Sequence, residues 1–220
     1  MVQLTRSGPI VSWTAPELSR LRSEFDRRHC IRLPSLLPAE GFGYVRRHID
    51  RGAFAEKVHG TIGVELCMAG NAALDLLYFL TNDPRVFQVV QELTRCNPIG
   101  GFVGRIYRMV PGTGHYDSWH SDCLDHRMIG LSINLGAETY AGGVFQLRER
   151  GSEAILTEAP NTGAGDAILF RIAGHIEHRV TAVEGSVPKT AFAGWFVSEP
   201  NFMELLRSRS ADTQSSATAE

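Results

Sequence analysis

The spacing of apolar residues changes character near Pro98. Before it, apolar positions recur at helical intervals. Leu18, Leu21 and Phe25 form one such set, and Thr14-Ala15-Pro16-Glu17 ahead of them is a capping box with proline in the first turn. Pro38-Ala39-Glu40 opens a second helix, with Tyr44, Val45 and Ile49 as its apolar stripe. Asn71 caps a third carrying Leu74, Leu77 and Phe79, and Asp83-Pro84 a fourth carrying Val86, Val89, Val90 and Leu93. Cys30 to Pro34 reads as a short strand. Phe54 to Met68 reads as extended and interrupted by Gly60 and Gly63.

After Pro98 the runs shorten, and Gly, Pro and Asn punctuate them. The run from Gly101 to Val110 ends at the Pro111-Gly112 turn. Met128 to Leu135, Gly143 to Arg148, Ala154 to Glu158, Ala167 to Arg171, Glu177 to Val183 and Lys189 to Ser198 follow as strands. Roughly eight short strands at regular spacing predict a sandwich or barrel. The expected fold class is α+β, with N-terminal helices packed on one face of the β structure. Residues 1–100 are expected to be a helical part integral to a single domain, and 101–200 its β core. Residues 207–220, polar and without periodicity, read as a disordered tail.

Composition narrows the class. The chain has 220 residues, 43% apolar and 21% charged, which suits one globular domain. A net charge of -2 argues against a nucleic-acid or membrane-surface binder. No apolar run reaches the ~18 residues of a membrane span. Cys30, Cys67, Cys96 and Cys123 form no Cys-x-x-Cys pair, and the N-terminus carries no signal-peptide core. Free thiols in a reducing cytoplasm are the expectation.

The strongest chemical signal is Trp119-His120-Ser121-Asp122. In an extended segment residues two apart point to one side, so His120 and Asp122 can converge on one metal ion. Two imidazoles and one carboxylate suit iron(II) and leave coordination positions open. The third ligand must come from elsewhere, and His175 and His178 compete for the role. His178 begins an apolar, strand-like run, whereas His175 follows Gly174 and reads as loop, so His178 is favoured.

The ordered set Pro111-Gly112, His120-x-Asp122, Gly142-Gly143, Gly165-Asp166, His178-Arg179-Val180, Lys189 and Trp195 resembles the 2-oxoglutarate and iron(II)-dependent oxygenases, in the prolyl-4-hydroxylase-like branch. The resemblance runs from about Arg105 to Ser198, somewhat under half of the chain. It implies a double-stranded β-helix, a cupin-like jelly roll, with iron held by His120, Asp122 and His178. Iron(II), 2-oxoglutarate and dioxygen are the implied cofactor and cosubstrates.

Lys189 fills the position at which that family places a cation for the distal carboxylate of 2-oxoglutarate. A dianion entering a narrow barrel needs a buried cation to offset its desolvation. Strand alternation puts Lys189, Ala191, Ala193 and Trp195 on one face, with room beside the lysine and Trp195 as a pocket wall. The family has a tyrosine before the Pro-Gly turn. Met109 holds the closest position, and Tyr107, one same-face step earlier, is the candidate. Asn134 lies near a polar cosubstrate contact of the family, and Thr181 is a lesser candidate.

Arg127 could bind a substrate carboxylate bidentately, or form a rim salt bridge. The loop His115-Tyr116-Asp117-Ser118-Trp119 precedes the metal motif, so Tyr116 and Trp119 are candidates for substrate contact. Asp122 also separates hydroxylases from related halogenases, which have Gly or Ala there. The expected activity is oxidation of an unactivated C–H bond in a small molecule or amino-acid derivative of specialised metabolism. Alternatives are a peptidyl or carrier-tethered substrate, a non-catalytic jelly-roll binding module, and a cupin-type metalloenzyme, whose usual His-x-His pattern does not occur here. Oligomeric state is left open.

Overall fold

The structure, a computed structural model, describes residues 1–198 except Asp125 and Asn161. The expected tail at 207–220 lies outside the described residues. The first half runs β1 (Val2–Thr5), β2 (Gly8–Val11), α1 (Ala15–Arg28), β3 (Cys30–Leu33), α2 (Ala39–Ile49), β4 (Phe54–His59), β5 (Gly63–Met68), α3 (Ala72–Thr81) and α4 (Pro84–Thr94). The second half is all β: β6 (Gly101–Met109), β7 (Tyr116–His120), β8 (Arg127–Asn134), β9 (Ala141–Gly142), β10 (Phe145–Glu149), β11 (Ile155–Ala159), β12 (Ala167–Arg171), β13 (Ile176–Val180), β14 (Val183–Glu184) and β15 (Lys189–Val197).

Local chemistry sets the helix starts. The Thr14 hydroxyl accepts from the Glu17 amide while the Glu17 carboxylate accepts from the Thr14 amide, closing the capping box of α1. Asn71 accepts from the Ala73 and Leu74 amides, and Asp83 from the Arg85 amide, capping α3 and α4. None of the described helices is long and apolar enough to cross a membrane.

The main sheet runs β11-β10-β13-β7-β5-β6-β15-β8-β12-β3, with β4 pairing β5. It curls into a nearly closed jelly roll. The N-terminal hundred residues are therefore not only helical. β1 and β2 form a separate hairpin, β3 extends one sheet edge, and β5 sits between β6 and β7. The extended reading of Cys30–Pro34 and Phe54–Met68 holds. The β1–β2 hairpin escaped it because Val2 and Leu4 are the only two buried positions in a four-residue alternation.

The sheet divides the apolar residues into two cores by strand alternation. On β15, Phe192 and Phe196 face the helices, packing with Leu77, Leu80 and Leu93, while Ala191, Ala193 and Trp195 face the barrel interior. On β6, Phe102 and Ile106 face the helices, and Tyr107 and Met109 the interior. On β12, Leu169 goes outward and Ile168 and Phe170 inward. The barrel interior thus keeps small residues on β15 and a cavity at its centre.

Candidate metal centre and its cavity

The cavity measures about 280 Å³ and is lined from β5, β6, β7, β8, β13 and β15. His120 ends β7 and Asp122 lies two residues on, in an irregular segment just past the strand. The two-residue spacing still brings them together, although Asp122 is not itself in a strand. His178 sits mid-strand in β13, opposite His120 in the β13–β7 register. His178 Nε2 is 3.3 Å from Asp122 Oδ2, His120 Nε2 is 3.6 Å from Asp122 Oδ1, and the two rings are 4.3 Å apart. One ligand atom from each of the three residues lies within 4.8 Å of the others. His175, the competing candidate, is elsewhere, its ring edge-on to His29 at 6.4 Å.

The donor set fits a metal ion. His120 Nδ1 lies 2.7 Å from the Ser118 carbonyl. A carbonyl only accepts, so Nδ1 carries the hydrogen and Nε2 presents its lone pair. Phe145 and Phe170 pack on the His178 ring at 5.7 and 5.0 Å. Phe170 can lie there because residue 130 is glycine: a Cβ on Gly130 would fall 2.1 Å from the Phe170 ring.

Asp122 is held by more than the histidines. The Trp195 indole donates to its Oδ2 at 2.6 Å, and Arg127 Nη1 approaches its Oδ1 at 3.4 Å. Burial pushes the Asp122 carboxyl up. The hydrogen bond and charge of His178, then His120 and Trp195, outweigh that and hold it well below the usual range. Asp117 contrasts with it. Burial raises its carboxyl despite His120 and His178 nearby, and its Oδ2 accepts from the Val180 amide at 3.0 Å.

Lys189 also lines the cavity and is buried, its ammonium donating to the Gly143 carbonyl at 2.7 Å. Desolvation brings it down to about 8, opposed by the charge of Asp117. Gly143 has φ +58°, and a Cβ there would stand 3.1 Å from Lys189 Cδ and 2.9 Å from the Tyr140 ring. Glycine at 143 is therefore what lets its carbonyl meet the lysine. Tyr107 also lines the cavity, its hydroxyl pushed well up by burial.

The remaining candidates divide. Tyr116 lines the mouth and is exposed, and Arg127 and Trp195 line the wall. Asn134 lines the cavity, but both its amide and its carbonyl are already engaged. Its nitrogen donates to the Thr162 and Gly163 carbonyls, and its oxygen accepts from the Gly136 amide. It ties loops together instead of presenting a free contact. Trp119 must also be corrected. It points away from the cavity and lies between the guanidiniums of Arg148 and Arg179, 4.2 and 4.6 Å from its ring, because alternation turns it opposite to His120. Thr181 likewise serves the backbone, its hydroxyl accepting from the Val144 amide.

Other cavity residues gave little sign in the sequence. Tyr140 stands under Lys189, ring to ammonium 5.5 Å, but sits in a loop without periodicity. Glu65 and Arg105 form a buried pair across β5 and β6, joined by His59. Arg105 shares a face with Tyr107, which was a usable signal, whereas nothing local marks Glu65.

No family model matches this sequence, and no curated protein does. Solved structures do. A 2OG-Fe(II) oxygenase family oxidoreductase from Burkholderia pseudomallei superposes with a TM-score of 0.63 at 15% identity, over 86% of this chain and 95% of that one. A prolyl-4-hydroxylase from Pseudomonas putida gives 0.61 at 16% identity, over 82% and 98%. The epimerase SnoN from nogalamycin biosynthesis, described as non-heme and alpha ketoglutarate dependent, gives 0.61 at 15% identity, over 84% and 83%. The chain therefore has the jelly-roll fold of the 2-oxoglutarate and iron(II) oxygenases, prolyl hydroxylases among them.

Proposed function

We propose that this protein is an iron(II)- and 2-oxoglutarate-dependent dioxygenase. It oxidises an unactivated C–H bond of a small molecule or amino-acid derivative, in specialised metabolism and in the cytoplasm. One observation carries the reading: His120, Asp122 and His178 converge in a cavity that the buried Lys189 also lines. A binding module without catalysis would have no use for both.

His120 Nε2, His178 Nε2 and an Asp122 oxygen would hold the iron. Bound there with 2-oxoglutarate and dioxygen, it would supply C–H oxidation coupled to oxidative decarboxylation of the cosubstrate. The chain's own residues do the rest. Ser118 fixes the tautomer of His120, and Trp195 orients the Asp122 carboxylate. Lys189, charged, pairs with the distal carboxylate of the cosubstrate, and the Gly143 carbonyl keeps its ammonium in place. Phe145, Phe170 and Tyr140 keep water from the chamber.

A peptidyl or carrier-tethered substrate is the second reading. It is favoured by the β4 edge, which among the described residues pairs only with β5, next to Ile62 at the cavity mouth. One neighbour of this fold, from Trichoplax adhaerens, is a prolyl hydroxylase in complex with a hypoxia inducible factor peptide fragment.

Anaerobic addition of iron(II) and 2-oxoglutarate tests the main reading. The weak visible charge-transfer band of the chelate is expected. His178→Ala should abolish it and His175→Ala should not. Folded wild-type protein without the band would overturn the proposal.

A further inference from the structure

Trp195 lies on β15 between β6 and β8, and an arginine reaches its indole from each neighbour. The Arg105 guanidinium is 5.7 Å from the indole centroid and that of Arg127 is 3.8 Å away. Both line the cavity. Arg105 gives its Nε to Glu65 Oε1, and among the described residues neither of its terminal nitrogens meets an acceptor. Arg127 makes one long contact, 3.4 Å from Nη1 to Asp122 Oδ1, and among the described residues its Nε and Nη2 meet no acceptor. Several N–H donors of two cations therefore face one space.

Glu65 anchors this arrangement. His59, Cys67 and Arg105 all donate to its Oε1. His59, Glu65 and Cys67 also lie close enough to hold a metal ion. The Arg105 guanidinium against the same oxygen would repel a cation there, so the group is better read as the support that aims Arg105 into the cavity.

We propose that Arg105 and Arg127, flanking Trp195, form a carboxylate-binding site for the substrate, which is an organic acid with an apolar body. This rests on the oxygenase reading above and names its substrate class. The site is separate from the cosubstrate end. Lys189 stands opposite Met109 and Ala193 opposite Arg105, four residues further along β15, or about 13 Å. The guanidinium fork matches a planar carboxylate. Glu65, Asp117 and Asp122 line the same cavity and offset the charges of Arg105, Arg127 and Lys189, which suits a monoanion better than a phosphate dianion. The apolar body has a place to rest: Ile62, Tyr116 and Leu124 line the mouth while 39%, 41% and 63% exposed.

The test uses the full chain with manganese(II) and N-oxalylglycine, a redox-inert isostere of 2-oxoglutarate, so that the Lys189 end is filled. Acid and amide pairs of graded size are then titrated calorimetrically: phenylacetate, 3-phenylpropanoate and octanoate against their amides. At least one acid is expected to bind tenfold or more tighter than its amide. Arg127→Gln and Arg105→Lys should each remove most of that preference. The proposal is overturned if no acid outbinds its amide, if acids bind only without N-oxalylglycine, or if folded variants keep the preference. The wild-type comparison decides the matter even if a variant fails to fold. The chelate band, recorded on a separate anaerobic sample of the same protein with iron(II) and 2-oxoglutarate, separates the two readings. A band with no acid preference removes this inference alone, and no band removes the oxygenase reading.

Discussion

At the scale of single residues, the site depends on groups that fix its ligands. Trp195 Nε1 donates to Asp122 Oδ2, an oxygen that also faces His178. Trp195→Phe keeps the ring and removes the donor. Groups that orient a ligand in this way are worth roughly 10–100-fold in metal affinity. A loss in that range is expected by chelator competition with manganese(II), and unchanged affinity would remove Trp195 as a positioning residue. Lys189 gives a pH dependence. Burial lowers it to about 8, so it is charged below that pH and neutral above. Pairing with a ligand carboxylate needs the charged form, so binding takes up a proton above about pH 8. N-oxalylglycine affinity should then fall about tenfold per pH unit above 8, whereas Lys189→Arg should be flat to about pH 10. A wild-type profile equally flat would show that Lys189 does not supply the charge.

At the scale of elements, the capping box at Thr14 and Glu17, the caps at Asn71 and Asp83, and the alternation of β15 were all legible. Each rests on contacts within about four residues, or on the two-residue period of a strand. Alternation alone put Lys189, Ala191, Ala193 and Trp195 on one face, and all four line the cavity. It could not say which surface a face meets. Trp119 shows this: it reads as part of a loop before the metal motif, yet it lies in β7 with its ring on the outside, between Arg148 and Arg179. Asn134 shows the other limit. Its position in β8 was correct, but its hydrogen bonds to Thr162 and Gly163 join it to a loop about thirty residues away.

At the scale of the whole molecule, β5 joins the two halves of the barrel, pairing β6 through Leu66 and Cys67 and β7 through Gly63 and Val64. It also brings Glu65 to Arg105. The helices cover the apolar face of β6, β8 and β15. A fragment of residues 101–220 would expose that face and leave β6 and β7 without the strand between them. It is expected to show no cooperative thermal transition, while the full chain unfolds in one. A cooperatively folding fragment would contradict the expectation that residues 1–100 and 101–200 form a single domain. The sequence by itself determined the helix caps, the strand periods and the order of candidate ligands, because these follow from local hydrogen bonding and alternation. Only the tertiary structure decided the hold of Trp195 and Arg127 on Asp122 and the Glu65 anchor beneath Arg105. Those contacts join residues 73, 5 and 40 positions apart in the Trp195, Arg127 and Arg105 pairs, set by how the curled sheet closes and by no local pattern.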